Sequence, residues 1–378
     1  MSLTGDDRLQ RDFSYEWASG AVVPVMSVVL AVMVGGFVVL VTGHNPVNAY
    51  WQLLLGAFGS RYSISETIIA AIPLMLAGLA VAFAFRAGLF NIGAEGQIFV
   101  GALLSAYVGY KVNAPGIVLI PLALVAGALA GGLWGALAGV LKAWRGAHEV
   151  ITTMMLNYTA IALSQYLLES SPSGKSGPMA QTFQPGNPET PPMNAQLPII
   201  IPDSLVHNGR LHAGLFVALA AGGLFYFILW RTALGYKIRA VGLNQKAAAY
   251  AGINVGWTIS LSMFIAGAFA GLAGMVSTFA LAPYQLTDSF SPGYGFDAIA
   301  VALLGKNTVL GVIAASVLFG AFEYGGGIMQ ANTGISSRLI VILQGLVILF
   351  IGADALVRYL AQRGVVRLPR WQRQEVAA

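Results

Sequence analysis

The sequence predicts an all-α protein, a polytopic transmembrane helical bundle of about ten segments. Three observations carry this. Hydrophobic residues make up 57% of the chain and charged residues 9%, where a soluble domain holds roughly a quarter charged. Apolar runs near the length of a bilayer crossing, about 20 residues, recur from one end to the other. Lys and Arg gather in alternate connections, as the positive-inside rule requires.

The elements follow in order. Residues 1–19 are polar, with Asp6, Asp7, Asp12 and Glu16 beside Arg8 and Arg11, and read as a cytoplasmic N-terminal segment. The apolar run 20–42 is long enough to span. A cleaved signal would have a shorter core and a basic leader, so this run reads as a retained first helix. Further spans fall near 65–85, 95–110, 116–141, 147–168, 213–231, 256–282, 296–304, 308–328 and 337–357. The segment 296–304 is too short to cross alone; it is half of a broken helix, or the end of one that starts in the preceding loop. The membrane domain is therefore 20–357, and 358–378 is a basic cytoplasmic tail.

With the N-terminus inside, 15 of the 20 Lys and Arg residues fall on inner segments and 5 on outer ones. This places both termini in the cytoplasm and makes the number of crossings even. The net charge of +5 is then topology and contact with membrane lipid, not a nucleic-acid footprint. With no cysteine, disulfides, thiol nucleophiles and thiolate metal sites are excluded.

Two connections stand out. The external loop 169–210 holds 8 of the 16 prolines, too many for a helix or a central strand, and reads as an extended, partly ordered cap. It is either a tolerated insertion or a docking surface. The cytoplasmic loop 231–255 is the most basic inner connection. In it Asn244 can cap a short helix over Gln245–Ala251, which Gly252 can end. Within the spans, Gly127 and Gly131, and again Gly267 and Gly271, stand four apart, a spacing that lets helices approach closely. Ala-Gly-Leu-Ala recurs at 77–80 and 270–273 on segments of opposite predicted direction, the pattern of an inverted repeat.

Catalysis is poorly provided for. His44, His148, His207 and His212 lie in loops or at helix ends without metal-ligand spacing, and no nucleophile or zincin motif is present. Gly174-Lys175-Ser176 resembles the tail of a phosphate loop, but Glu169 occupies the position of its first glycine. The reading is therefore no catalytic residue, no metal and no nucleotide site in this chain. Polar groups in the spans are few, and each costs free energy unless it faces a cavity or a protein interior. The run Asn91-Ile92-Gly93-Ala94-Glu95-Gly96-Gln97 is the densest. Glu95 and Gln97 lie about 200° apart around a regular helix, so the helix is expected to begin within the run, after Asn91. Either one of Glu95 and Gln97 faces a translocation cavity while the other holds a neighbouring helix, or all three are structural. Asn157 and Gln165, eight apart, share roughly one helix face, as an interhelical bond or a cavity wall. Glu66, Glu149 and Asp354 lie near span ends, where helix-dipole roles are expected. Asp297 and Lys306 bracket the short segment and are expected to pair with each other or with neighbours. Glu95 and Glu323 are the candidates for a proton site, so the alternative function is a proton-coupled secondary carrier.

Four stretches together resemble a known family. They are Phe85–Gln97; His148–Tyr158; Ala240–Asn244 with Ala247–Asn254; and Gly295–Gly305. They are similar to the signature segments of binding-protein-dependent ABC-transporter permeases in the branched-chain amino-acid, ribose and nucleoside group, nucleoside or simple-sugar branch. The resemblance runs from about residue 20 to 357 and implies the ABC importer permease fold in a bacterial inner membrane. Two related permease chains would form the pathway, often as a heterodimer. A separate ATP-binding subunit would carry ATP and Mg, and an extracytoplasmic protein would deliver the solute. The version of the run at Asn91–Gln97 implies nucleosides. The pathway candidates remain the polar residues Asn91, Glu95, Gln97 and Asn157, and the resemblance assigns ATPase coupling to the loop holding Asn244, Ala247, Ala248, Ala251 and Gly252. One departure is plain. Many importers carry Glu before the paired alanines, whereas Gln245-Lys246 precede Ala247, so a salt bridge from that position does not carry over. The loop 169–210 is also longer than the family core requires.

Overall fold

A computed structural model describes residues 28–169, 177–180, 188–201, 205–280, 282–336 and 338–362, with side chains to residue 350. The N-terminal segment, residues 20–27 of the first predicted span, Asp354 and most of the basic tail lie outside what it describes in side-chain detail. The named elements are all helical; the extended backbone among the described residues makes only isolated bridges. In chain order the helices are α1 Val28–Val41, α2 Pro46–Phe58, α3 Arg61–Arg86, α4 Ala94–Lys111, α5 Gly116–Arg145, α6 Glu149–Leu168, α7 Gly214–Arg231, α8 Ala233–Leu243, α9 Gln245–Tyr250, α10 Val255–Ala280, α11 Tyr294–Leu304, α12 Val309–Thr333 and α13 Arg338–Gln362.

Each predicted span coincides with a helix. Five helices, α3, α5, α7, α10 and α12, are long and apolar enough to cross a bilayer by length and composition. Helix α11 has 11 residues and rises about 16 Å, roughly half of a hydrocarbon core. Helix α2 was not expected: at 13 residues it is too short to read as a span. Its start is nevertheless written locally. Asn45 Oδ1 accepts the Val47 and Asn48 amides at 2.9 and 3.3 Å, and Pro46 sits where a missing N–H costs nothing.

The chain divides into two compact units, 53–328 and 1–52 with 329–378, the divisions falling within α2 and α12. In the smaller unit Tyr50 donates to the Val32 carbonyl at 2.8 Å and Asn332 to Gln52 at 2.8 Å. The larger unit is built round α10, which packs most extensively on α5, then on α4 and α3. The reason lies in the two glycine pairs, which meet each other. A Cβ on Gly131 would stand 2.7 Å from Gly271 Cα, and one on Gly267 2.9 Å from the Gly131 carbonyl carbon. Backbone therefore lies on backbone, the approach that small residues permit in a membrane. On another face of α10, Phe269 joins Phe83 and Phe225 in a ring cluster with centroids 5.6–6.3 Å apart, tying α3, α7 and α10 together.

The repeated tetrapeptide has no shared packing. Gly78 lies against Val301 and Val312, whereas Gly271 lies against Gly127 and Gly131. Within 169–210, residues 188–200 are mostly extended and lie along the ends of α4 and α10, while 177–180 turn back on the end of α6. Leu197 donates to the Phe279 carbonyl at 2.9 Å, and Asn194 Nδ2 to the Tyr110 and Val112 carbonyls at 3.1 Å. The proline-rich strip thus supplies donors to carbonyls that a helix C-terminus leaves without partners.

Candidate functional site

Helix α4 begins at Ala94, inside the polar run, and its cap position Gly93 has no side chain to satisfy the first amides. Another helix does so. Asn157 of α6 accepts the Gly96 N–H at 2.8 Å and donates to the Ile92 carbonyl at 2.8 Å. Glycine is required at 96, since a Cβ there would stand 2.9 Å from Asn157 Cα. Asn91 and Gln97 exchange two amide hydrogen bonds of 3.0 Å, closing a ring across the helix entry.

Glu95 repeats the device on α11. Its Oε1 accepts the Ser291 hydroxyl at 2.6 Å and its Oε2 the Gly295 N–H at 2.6 Å. Ser291 Oγ in turn accepts the Gly293 and Tyr294 amides, each at 3.3 Å. Thus α6 caps α4, and α4 caps α11. A carboxylate at a helix N-terminus also meets the positive end of the macrodipole. Asn91, Gln97, Asn157 and Glu95 are 1%, 1%, 2% and 3% exposed, and in this conformation they hold helix termini.

Other expectations are redrawn. Gln165 is exposed, while the buried stripe of α6 runs Thr153, Asn157, Ala160, Ser164, Leu168; eight residues of helix leave Gln165 turned off that stripe. Asp297 and Lys306 do not pair. They stand at opposite ends of α11, about 14 Å apart along its axis, and the Lys306 and Asn307 carbonyls instead accept Arg86 at 3.3 and 3.0 Å. Glu149 bridges Lys142 at 2.5 Å across the turn from α5 to α6.

Glu66, 4% exposed, is held by Nε and Nη2 of Arg210, from the loop 169–210. The hydrogen bond to Glu66 and its negative charge hold the Arg210 guanidinium above its ordinary range. Arg210→Ala leaves a buried carboxylate alone. Breaking a fully buried pair costs about 3–5 kcal/mol, and half-exposure of Arg210 reduces this to about 1–3 kcal/mol. The expected result is a lower unfolding midpoint in detergent, partly restored when Glu66→Gln is added. Equal midpoints for Arg210→Ala and wild type would deny the pair a stabilising role.

The cytoplasmic-loop expectation corresponds to two helices rather than one. Asn244 Oδ1 accepts the Ala247 N–H at 3.0 Å and so caps α9. Helix α9 ends at Tyr250 with Ala251 as its cap, and Gly252 takes φ +78°. The Gly252 and Ile253 amides return to the Ala249 and Ala248 carbonyls, closing the helix end. Asn244, Ala247, Ala251 and Gly252 are exposed, but Ala248 is buried and faces inward. Just before α9, Gly242 lies against Gly88, where a Cβ would stand 2.9 Å from the Gly242 carbonyl oxygen. The four stretches singled out in the sequence therefore meet: 88 on 242, 96 on 157, 95 on 295.

A cavity of about 380 Å³ adjoins this network, lined by α3, α10, α12 and the loop before α11. Glu323 was a sequence candidate. Phe290, Tyr294, Tyr324 and Ser277 were not; the only local signal is that Tyr294 adjoins the Gly295 stretch and Tyr324 adjoins Glu323.

Residues 63–352 match the family described as branched-chain amino acid transport system / permease component. The chain belongs to this family. The permease is 38% identical over 341 residues to the guanosine ABC transporter permease protein NupP of Bacillus subtilis, covering 90% of this chain and 95% of that one. It is 36% identical to the glucose permease protein TsgB13 of Haloferax volcanii, covering 87% and 86% of the two chains. It is 35% identical to the nucleoside permease protein NupB of Lactococcus lactis, covering 89% and 91%. No solved structure matches it. The protein is a multi-pass membrane permease subunit of an ABC importer, and its work is transport.

Proposed function

We propose that this permease carries nucleosides into a bacterial cell, across the cytoplasmic membrane and with both termini inside. The observation that carries the solute class is the 38% identity to a guanosine permease over nine tenths of the chain, with a nucleoside permease at 35% beside a glucose permease at 36%. The basic residues of the α7–α10 connection support the orientation. An ATP-binding subunit, holding ATP and Mg, docks on the exposed face of α9. A second, related permease completes the pathway, and an extracytoplasmic binding protein delivers the solute. Movement of α9 passes through the Gly242–Gly88 contact to the polar network, and through Glu95 to the start of α11. Alternating access then needs only that ATP binding favour one of two arrangements of these contacts.

Uptake into vesicles holding the whole importer tests this. Guanosine should enter with ATP and not with a proton gradient alone. Ala251→Arg alters an exposed cap residue and should leave insertion intact, while uptake and solute-stimulated ATP hydrolysis fall about tenfold. Uptake on a proton gradient would overturn the mechanism, and full coupling in Ala251→Arg would move the ATPase contact away from 244–252.

A further inference from the structure

We propose that the cavity between α3, α10 and α12 is the solute site of the permease. Its aromatic wall takes the flat ring of a nucleoside, and Glu323 takes the ribose hydroxyls. This rests on the nucleoside reading for the identity of the ligand and on the geometry alone for the place.

The cavity holds about 380 Å³, within the roughly 300–1,000 Å³ of small-molecule sites. Phe290, Tyr294 and Tyr324 line it with Ile69, Ala70 and Val276, an apolar and aromatic surface on which a base can lie. The polar groups are few, as orientation of a ligand requires. Ser277 Oγ donates to the Ala273 carbonyl at 2.9 Å and offers the cavity an acceptor. Pro73 has no N–H for the Ile69 carbonyl one turn back, and both residues line the space.

The charges decide the ligand class. Glu66 is neutralised by Arg210. Burial pushes the His212 imidazole down to about 4, and its Nδ1 accepts the Gly214 N–H at 3.2 Å, so it is neutral at pH 7. Glu323 is exposed to the cavity and makes no ion pair or hydrogen bond among the described residues. Among the described lining residues no cation opposes Glu323, and Asp297 stands close enough to add to its negative field, which disfavours an anionic solute, while a carboxyl there accepts hydrogen bonds from adjacent hydroxyls. Tyr294, the first residue of α11, ties the site to the network, because Glu95 holds the next amide. Any motion that frees Gly295 from Glu95 moves one aromatic wall of the cavity.

The chain has no cysteine, so Ser277→Cys places the sole thiol of this subunit in the cavity with little change of shape. In the intact importer, labelling of that thiol by a small methanethiosulfonate is followed with guanosine, adenine or glucose present. Guanosine should slow labelling at least about tenfold, and adenine should protect at higher concentration. Adding Glu323→Gln should raise the guanosine concentration for half protection about tenfold, the loss of a charge-assisted bond, and leave that for adenine unchanged. If guanosine is transported without protecting Cys at 277, or if Glu323→Gln affects guanosine and adenine alike, the proposal is overturned. If glucose alone is transported and protects, the nucleoside reading fails while the cavity stands as the solute site.

Discussion

Asn157→Leu should sharply lower the yield of folded permease. The substitution keeps the branch at Cγ, puts two bulkier methyl groups on it and removes both hydrogen-bonding ends. The Gly96 N–H and the Ile92 carbonyl then remain buried without their 2.8 Å partners. Each such group costs about 1–3 kcal/mol, against a total stability of roughly 5–15 kcal/mol. Water cannot rescue them, since Asn157 is 2% exposed and Gly96 is buried. Asn157→Asp separates the two ends. Its carboxylate still accepts the Gly96 N–H but cannot donate to Ile92, so yield should fall between wild type and Leu. The measurement is the monodisperse fraction by fluorescence-detected gel filtration after mild detergent extraction. Equal yields from Leu and wild type would mean that α6 does not hold the start of α4.

Gly131→Leu should fail as well, for a steric reason. The new Cβ would fall 2.7 Å from Gly271 Cα and closer still to the Gly267 carbonyl oxygen. A flexible side chain could rotate away; backbone cannot. Relief requires α5 and α10, the most extensively packed pair, to separate along their length. Overpacking typically costs about 1–3 kcal/mol, and more where, as here, only backbone can give way. Gly223→Leu on α7 is the control, because a Cβ there meets nothing within 4 Å. The same extraction assay should show Gly223→Leu near wild type and Gly131→Leu without a monodisperse peak. Similar behaviour of the two would remove close α5–α10 contact from the fold.

Much of this was legible in the chain itself. Polar groups are costly in a bilayer, so Asn91, Glu95, Gln97 and Asn157 could be picked out wherever their partners lay. Helical angles alone required α4 to begin after Asn91, and it begins at Ala94. Asn244 and Gly252 announced α9, because capping is local chemistry. Spacing rules also said that Gly127, Gly131, Gly267 and Gly271 would sit in close contacts, but not that the two pairs would meet.

What stayed hidden is what depends on partners far along the chain. Asn157 and Gly96 are 61 residues apart, and Glu95 and Gly295 are 200. Periodicity reports which face of a helix is small or polar, and carries no record of the neighbour. The expected Asp297–Lys306 pair failed because one helix separates the two charges by its own length. The sequence by itself therefore determined the class, the spans, the caps and the polar residues that must find partners, since these follow from bilayer thickness, backbone hydrogen bonding and local geometry. Only the tertiary structure decided that α6 caps α4, that α4 caps α11, and that Glu323 faces aromatic rings across an open cavity. Those pairings are set by which surfaces fill space against one another, a property of the packed chain as a whole.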